Sequence, residues 1–302
     1  MAHPPQFIRN FDPAYGQLIQ VSPLIRRLVA TNKSPFTAWG TGTYVVGRGN
    51  VAIIDPGPED IAHIDTLRHA LAGERITHIV ITHTHMDHSP GARLLRQHVN
   101  APVVGCPRPL PSGPDDEPVE EGMDPHYQPD QVLADGDSIS GPGWTLQAVY
   151  TPGHTSNHTC FCLPEEQSLF TGDHVMGWST TVVSPPDGNM TDYMASLHKV
   201  RVRGDRVLYP THGAPITQTK PFIEALIAHR HQREQQILGC LAGGAATIPD
   251  MVGKLYADVD PRLHKAAGRS VLAHLTALIS SGRVITADHT PAPGTTARYQ
   301  LP

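Results

Sequence analysis

The segment Thr82-His83-Thr84-His85-Met86-Asp87-His88 places three imidazoles and a carboxylate within positions 83–88, directly after the apolar run Ile79-Val80-Ile81. A strand ending in His-x-His sends both imidazoles to one side, because side chains alternate along an extended chain. The turn that follows brings Asp87 and His88 toward a neighbouring point. Imidazole nitrogen and carboxylate oxygen bind zinc at about 2 Å, so the segment suits two adjacent metal ions. It cannot complete both coordination shells alone. Three later segments offer donors of the same kind: Tyr150-Thr151-Pro152-Gly153-His154, Phe170-Thr171-Gly172-Asp173-His174 and Tyr209-Pro210-Thr211-His212-Gly213. Each follows an apolar run and adjoins glycine, where the backbone can bend close to a metal.

Such donors must be carried by strands that end at a common edge. Residues 43–46 and 51–54 read as paired strands joined by a Gly-Arg-Gly-Asn turn. Residues 59–71 read as a helix with Ile61, Ile64, Leu67 and Leu71 in one apolar stripe. Residues 76–81 form a β-branched buried strand, and 90–97 a helix with Ser89 as cap and proline in its first turn. Further strands are expected at 103–104, 145–150, 159–163, 169–170 and 206–209, with a helix at 192–200. Strands interleaved with helices indicate an α/β protein whose sheets are covered by helices. Residues 107–130 interrupt the series: seven prolines and seven acids rule out a helix or central strand and predict a surface loop, or an acidic flap beside the site.

From Lys220 the pattern becomes helical, at 221–241, 248–256 and 261–281, followed by a short strand at 283–285. Leu263, Ala267, Val271, Leu275 and Leu278 recur at helical spacing, and the whole suggests a small winged-helix domain. Arg262, Lys265 and Arg269 on its last helix could meet nucleic acid, but residues 215–289 carry a net charge of only +2. Phosphate-binding surfaces are usually more basic, so a lid or a homodimer contact is the preferred role.

The order His-x-His-x-Asp-His, then His, Asp and His resembles the metallo-β-lactamase fold superfamily, matched at every position over about residues 24–215. The resemblance implies an αββα sandwich and a two-metal site. His83, His85 and His154 would bind one metal, Asp87, His88 and His212 the other, with Asp173 bridging. A bridging aspartate resembles the dinuclear hydrolases such as glyoxalase II and the metallo-ribonucleases more than the true β-lactamases. The stretches Trp178-Ser179-Thr180-Thr181-Val182-Val183, Asp192-Tyr193-Met194-Ala195-Ser196-Leu197 and His229-Arg230-His231-Gln232-Arg233-Glu234 resemble the beta-lactamase-like protein 2 group. That group adds a C-terminal winged-helix-like domain, implying a catalytic domain at 1–218 and a second domain at 219–302. Its animal member resembles an endoribonuclease acting on single strands. This chain departs in its acidic, proline-rich segment at 107–130 and in Thr155-Ser156-Asn157-His158, where an acid is expected; both weigh against RNA.

The expected mechanism uses two zinc ions, or other divalent transition metals, about 3.5–4 Å apart, holding a bridging hydroxide that attacks a carbonyl or phosphoryl centre. Asp87 would orient this nucleophile and take its proton. Asp55, at the end of a strand, is expected to hydrogen-bond a ligand histidine. His158, His174, Thr180, Thr181 and Tyr209 are candidate substrate contacts. Single-stranded RNA, a small molecule such as a thioester, lactone or β-lactam, and non-catalytic nucleic-acid binding are the rival readings.

The 302 residues are 39% hydrophobic with net charge -5, an ordinary globular balance with no bulk bias toward nucleic acid or anionic membrane. No apolar run reaches the roughly 18 residues of a spanning helix, and the expected location is cytoplasmic. Cys106, Cys160, Cys162 and Cys240 form no CxxC pair and read as buried free thiols.

Overall fold

The computed structural model describes residues 5–108, 122–257, 264–287 and 294–302. Its first sheet has the order β1 (Ile19–Gln20), β2 (Ile25–Val29), β3 (Gly42–Arg48), β4 (Asn50–Ile54), β5 (Arg75–Ile81), β6 (Val103–Gly105), β7 (Gln131–Val132). Pairing is antiparallel from β1 to β4 and parallel from β4 to β7. Parallel steps need crossovers, which α1 (Ile61–Ala70) and α2 (Gly91–Arg96) provide for the first two. The second sheet runs β8 (Ser138–Gly141), β9 (Trp144–Tyr150), β10 (Thr159–Leu163), β11 (Ser168–Gly172), β12 (Val207–Pro210). Helix α3 (Met190–Arg203) crosses between β11 and β12, which pair parallel.

Strand alternation sorts the apolar side chains into layers. Ile54 and Val80 face Phe161, Phe170 and Leu146 of the second sheet. Their neighbours Ile53, Ile79 and Ile81 face α1 and α2 through Ile64, Leu67 and Leu95. On the far side, Cys160, Cys162 and Leu169 pack on Tyr193 and Leu197 of α3. Each fully buried aliphatic or aromatic side chain contributes roughly 1.5–3 kcal/mol. Helix, sheet, sheet, helix is therefore the layering, an αββα sandwich.

Helix α4 (Thr219–Leu241) closes the outer layer and leads into a winged-helix domain of β13 (Ala246–Thr247), α5 (Ile248–Leu255), α6 (His264–Ser280), β14 (Ile285–Thr286) and β15 (Arg298–Gln300). Its core joins Ile237 and Leu241 to Met251, Val271, Leu275 and Tyr299. A capping box between Thr247 and Asp250 starts α5. Among the described residues, no helix is long and apolar enough to cross a membrane, and all four cysteines are free.

Two local expectations fail. Ile61 is 68% exposed, so it lies outside the α1 stripe; the helix starts there because Asp60 caps it by accepting from the amides of Ala62 and His63. Ser89 does not cap α2. Its hydroxyl donates to the Asp124 carboxylate at 2.9 Å, and Pro90 holds the cap position without a side-chain hydrogen bond. Asp124 also accepts from Arg93 at 3.0 Å, tying α2 to residues 122–130. The middle of the expected flap, 109–121, and Arg262 lie outside the described residues.

Candidate metal centre

Strands β4, β5, β11 and β12 all end at one rim of the sandwich, and the loops leaving them carry the donors. Asp55 follows β4, His83 to His88 follow β5, Asp173 follows β11 and His212 follows β12; His154 lies in the β9–β10 loop. Glycines precede two of them. A Cβ on Gly153 would lie 2.3 Å from the Cα of Tyr193, and one on Gly172 would lie 2.5 Å from Nε2 of His158. Both also have positive φ, +135° and +50°. Only glycine lets these turns pack so closely while presenting His154 and Asp173.

Seven side chains gather there in two sets. In the first, Nδ1 of His85 lies 3.0 Å from Nε2 of His83 and 3.1 Å from Nε2 of His154. In the second, Oδ2 of Asp87 lies 3.3 Å from Nε2 of His88 and 3.2 Å from Nε2 of His212. Asp173 stands between the sets: its Oδ2 is 3.4 Å from His212 and 3.9 Å from His154, and its Oδ1 is 3.6 Å from His88. Ligands about 2 Å from one tetrahedral zinc stand roughly 3.3 Å apart, which these spacings match. Nε2 of His88 and Oδ1 of Asp173 are buried without a hydrogen-bond partner, as metal-facing atoms would be. The residues fit two divalent cations.

The opposite nitrogen of four rings is engaged. Nδ1 of His154 donates to the carbonyl of Val182 at 2.8 Å, and that of His212 to the carbonyl of Gly40 at 3.1 Å. Nδ1 of His88 donates to Oδ2 of Asp55 at 2.9 Å, and that of His83 meets the Thr82 hydroxyl at 3.1 Å. These contacts hold a proton on Nδ1 and turn Nε2 toward the other donors. Asp55 is a hub. It accepts from the Thr82 amide and hydroxyl, from His88 and from the Thr211 hydroxyl, so it joins two of the donor-bearing loops.

Electrostatics separate the sets. Burial, then the facing imidazoles, hold His83 well below its ordinary pKa and His85 at about 3. In the second set burial also opposes a charged ring, but Asp173 and Asp87 outweigh it and lift His212 to about 10. His88 is lifted likewise by Asp87, Asp173 and Asp55. Burial alone would raise Asp87 and Asp173, yet the adjacent imidazoles hold both carboxyls well below the usual range.

Four of the five expected substrate contacts are buried, and Thr180 is partly exposed. His158 is fully buried behind the site, where its Nε2 accepts from the Asp173 amide at 3.2 Å and its Nδ1 meets the Thr151 hydroxyl at 2.9 Å. His174 is fully buried against Tyr193, ring centroids 5.1 Å apart, and burial holds it at about 3. Tyr209 turns into the inter-sheet core between Tyr44 and Phe170. All three are buried, His158 behind the donors, His174 against α3 and Tyr209 in the inter-sheet core. Thr181 spends its hydroxyl on the carbonyls of Asp173 and His174, and Thr180 lines a cleft beside the centre. Sequence reasoning missed Thr41, whose hydroxyl donates to Oδ2 of Asp87 at 3.1 Å and is itself held by Asn32. The alternation Gly40-Thr41-Gly42-Thr43 was its only local signal.

Fold and donor set together define a class. Residues 38–212 match the family model of the Metallo-beta-lactamase superfamily, and 247–290 match the Beta-lactamase associated winged helix domain. The chain belongs to the metallo-beta-lactamase superfamily. Among its relatives is the Atrochrysone carboxyl ACP thioesterase of Aspergillus fumigatus, 31% identical over 283 residues that span 86% of this chain and 83% of the relative. The Beta-lactamase-like protein 2 homolog of Caenorhabditis elegans is 32% identical over 274 residues, 88% of this chain and 87% of the relative. A Beta-lactamase domain protein from Burkholderia ambifaria shares the fold, with TM-score 0.78 at 20% identity over 97% of this chain and 96% of that one.

Proposed function

We propose that this protein is a dinuclear, zinc-dependent hydrolase of thioesters. The observation that carries the metal-dependent reading is the convergence of seven donors in two sets about Asp173. The imidazole-rich, thiolate-free donor set suits zinc, with other divalent transition metals as alternatives. Divalent cations held there would act as Lewis acids, lowering the pKa of water and polarising a carbonyl oxygen.

The chain's own residues do the rest. Asp87 stays ionised between His88 and His212, and Thr41 holds one of its oxygens, so its carboxylate can accept the proton that the attacking water loses. Asp55 and the carbonyls of Val182 and Gly40 orient the rings. His158 holds the Asp173 backbone in place. The thioester substrate is supported by the named activity of the Aspergillus relative, which aligns along most of both chains.

Turnover of an acyl thioester, single-stranded RNA and a chromogenic cephalosporin by the zinc-loaded protein, beside a His85→Ala control, tests the reading. Thioester hydrolysis that is lost in the control is the expected result. Cleavage of RNA or of the cephalosporin in preference to the thioester overturns the substrate class.

A further inference from the structure

A cleft of about 350 Å³ lies between the 178–182 loop and helices α4 and α6. Phe36, Met176, Trp178 and Tyr256 make most of it apolar, but α4 presents His229, Arg230 and Arg233 along one wall. Arg230 is only 4% exposed, an unusual depth for a guanidinium. It sits 5.1 Å over the Tyr193 ring, and its Nη2 donates to the carbonyl of Thr181. Its Nε is buried without a hydrogen-bond partner. Arg233 lies 4.2 Å over the Tyr256 ring and donates to the carbonyl of Leu255 at 3.3 Å. Among the described residues neither arginine has a carboxylate partner; the nearby Glu234 pairs with Arg283.

The neighbouring histidines register this charge. Burial, then Arg230 and Arg233, hold His229 at about 4, and burial with the same arginines holds His274 at about 3. Nδ1 of His229 is buried without a partner. Burying a charge without a counterion is expensive, so a wall of this kind is stabilised by an anion in the cleft. Guanidinium forks match phosphate oxygens geometrically and stay charged at any working pH. One residue links the wall to the metal centre: Thr181 accepts from Arg230 and donates to the carbonyl of Asp173 at 2.8 Å.

We infer that the Arg230–Arg233 wall binds the phosphate of a phosphopantetheine arm, the thiol half of a carrier-type thioester, with the apolar walls receiving the rest of the arm. The identity of the anion rests on the thioesterase reading; the existence of an anion site does not. Two sources share this chemistry, free coenzyme A and a carrier protein bearing the arm.

Calorimetric titration of the zinc-loaded full chain with 4′-phosphopantetheine and with phosphate-free pantetheine tests the inference without any turnover. The wild type should bind the phosphorylated compound at least tenfold more tightly. Arg233→Gln and Arg230→Gln should each erase most of that ratio, and Arg233→Gln, the more exposed of the two, should leave pantetheine binding within twofold. A ratio near one in the wild type, or an unchanged ratio in both variants, overturns the site. Coenzyme A and a carrier protein with and without its arm form two further arms. Arginine-dependent preference for either identifies the source, and preference for neither overturns the inference. Arginine-dependent binding of a single-stranded oligoribonucleotide without binding of phosphopantetheine also overturns it, in favour of nucleic acid. Failure to hydrolyse thioesters, with the binding ratio intact, would fault the proposed function alone.

Discussion

Histidines crowd two regions of this molecule, the rim of the sandwich and the packing of α4 against α6, and burial depresses imidazole basicity in both. The rim sets carboxylates among its rings: Asp55 beneath His88, Asp87 between His88 and His212, and Asp173 between the two donor sets. The helix interface sets arginines among His229 and His274, with no carboxylate on those arginines among the described residues. One residue type thus serves two opposite environments. The neighbours, rather than the imidazoles, decide whether a region attracts cations or anions.

Removing a rim donor is the strongest test of this contrast. His83→Ala or Asp173→Ala should strip metal from the rim and reduce turnover about a thousandfold or more, since each takes a candidate ligand from a site whose cations would supply the Lewis acid. Metal content by mass spectrometry and steady-state kinetics check this; full metal content in both variants breaks the comparison. Next in size, Asp55→Asn should weaken metal binding about 10–100-fold, because a hydrogen-bonded carboxylate sets both the tautomer and the basicity of His88. A competitive chelator titration measures it.

The helix interface is tested by acid. His274 has a folded pKa of about 3, below the unfolded value near 6.5, so it remains neutral in the fold where the unfolded chain takes up a proton. The stability tied to that neutrality is complete above pH 6.5 and is lost as pH falls from there toward 3. His274→Leu should flatten the acid limb by about one proton, roughly 1.4 kcal/mol per pH unit, in urea melts between pH 6 and 4. An unchanged slope would mean that burial and the arginines beside it do not keep His274 neutral in the fold. The smallest effect is expected for Tyr209→Phe, whose ring packs between Tyr44 and Phe170. It should change kcat/KM less than twofold, and a larger drop would return Tyr209 to the site.

The rim was legible because its donors stand at fixed places after apolar runs: the strands announce themselves by β-branched residues, and the glycines mark where the chain turns inward. Asp55, expected on a ligand histidine, is found on His88, but most of what surrounds the donors was not legible, for a common reason. Thr41 reaches Asp87, and Arg230 reaches Thr181, across 46 and 49 positions of sequence, and such pairings follow from how strands and helices stack rather than from any local pattern. The same holds for Ser89. Its position before a helix suggests a cap, but the Asp124 carboxylate, 35 residues away, offers a stronger, charge-assisted partner. Ile61 shows the converse limit, since helical spacing identifies a stripe without saying how far the neighbouring sheet extends to cover it.

Helix α4 has 23 residues, about 34 Å at 1.5 Å per residue. Phe222, Ile223, Leu226 and Ile227 in its first half belong to the core over the second sheet, while Ile237 and Leu241 belong to the core of the terminal domain. A single unbroken rod therefore anchors both bodies and resists the bending at a hinge that a swinging lid requires. The spacing between the arginine wall and the rim is then set by a rigid spar. A molecule held at the wall would be gauged by its reach: too short a tail would stop before the rim, and too long a one would buckle in the cleft. Length, as much as chemical group, becomes a criterion by which such a protein can choose.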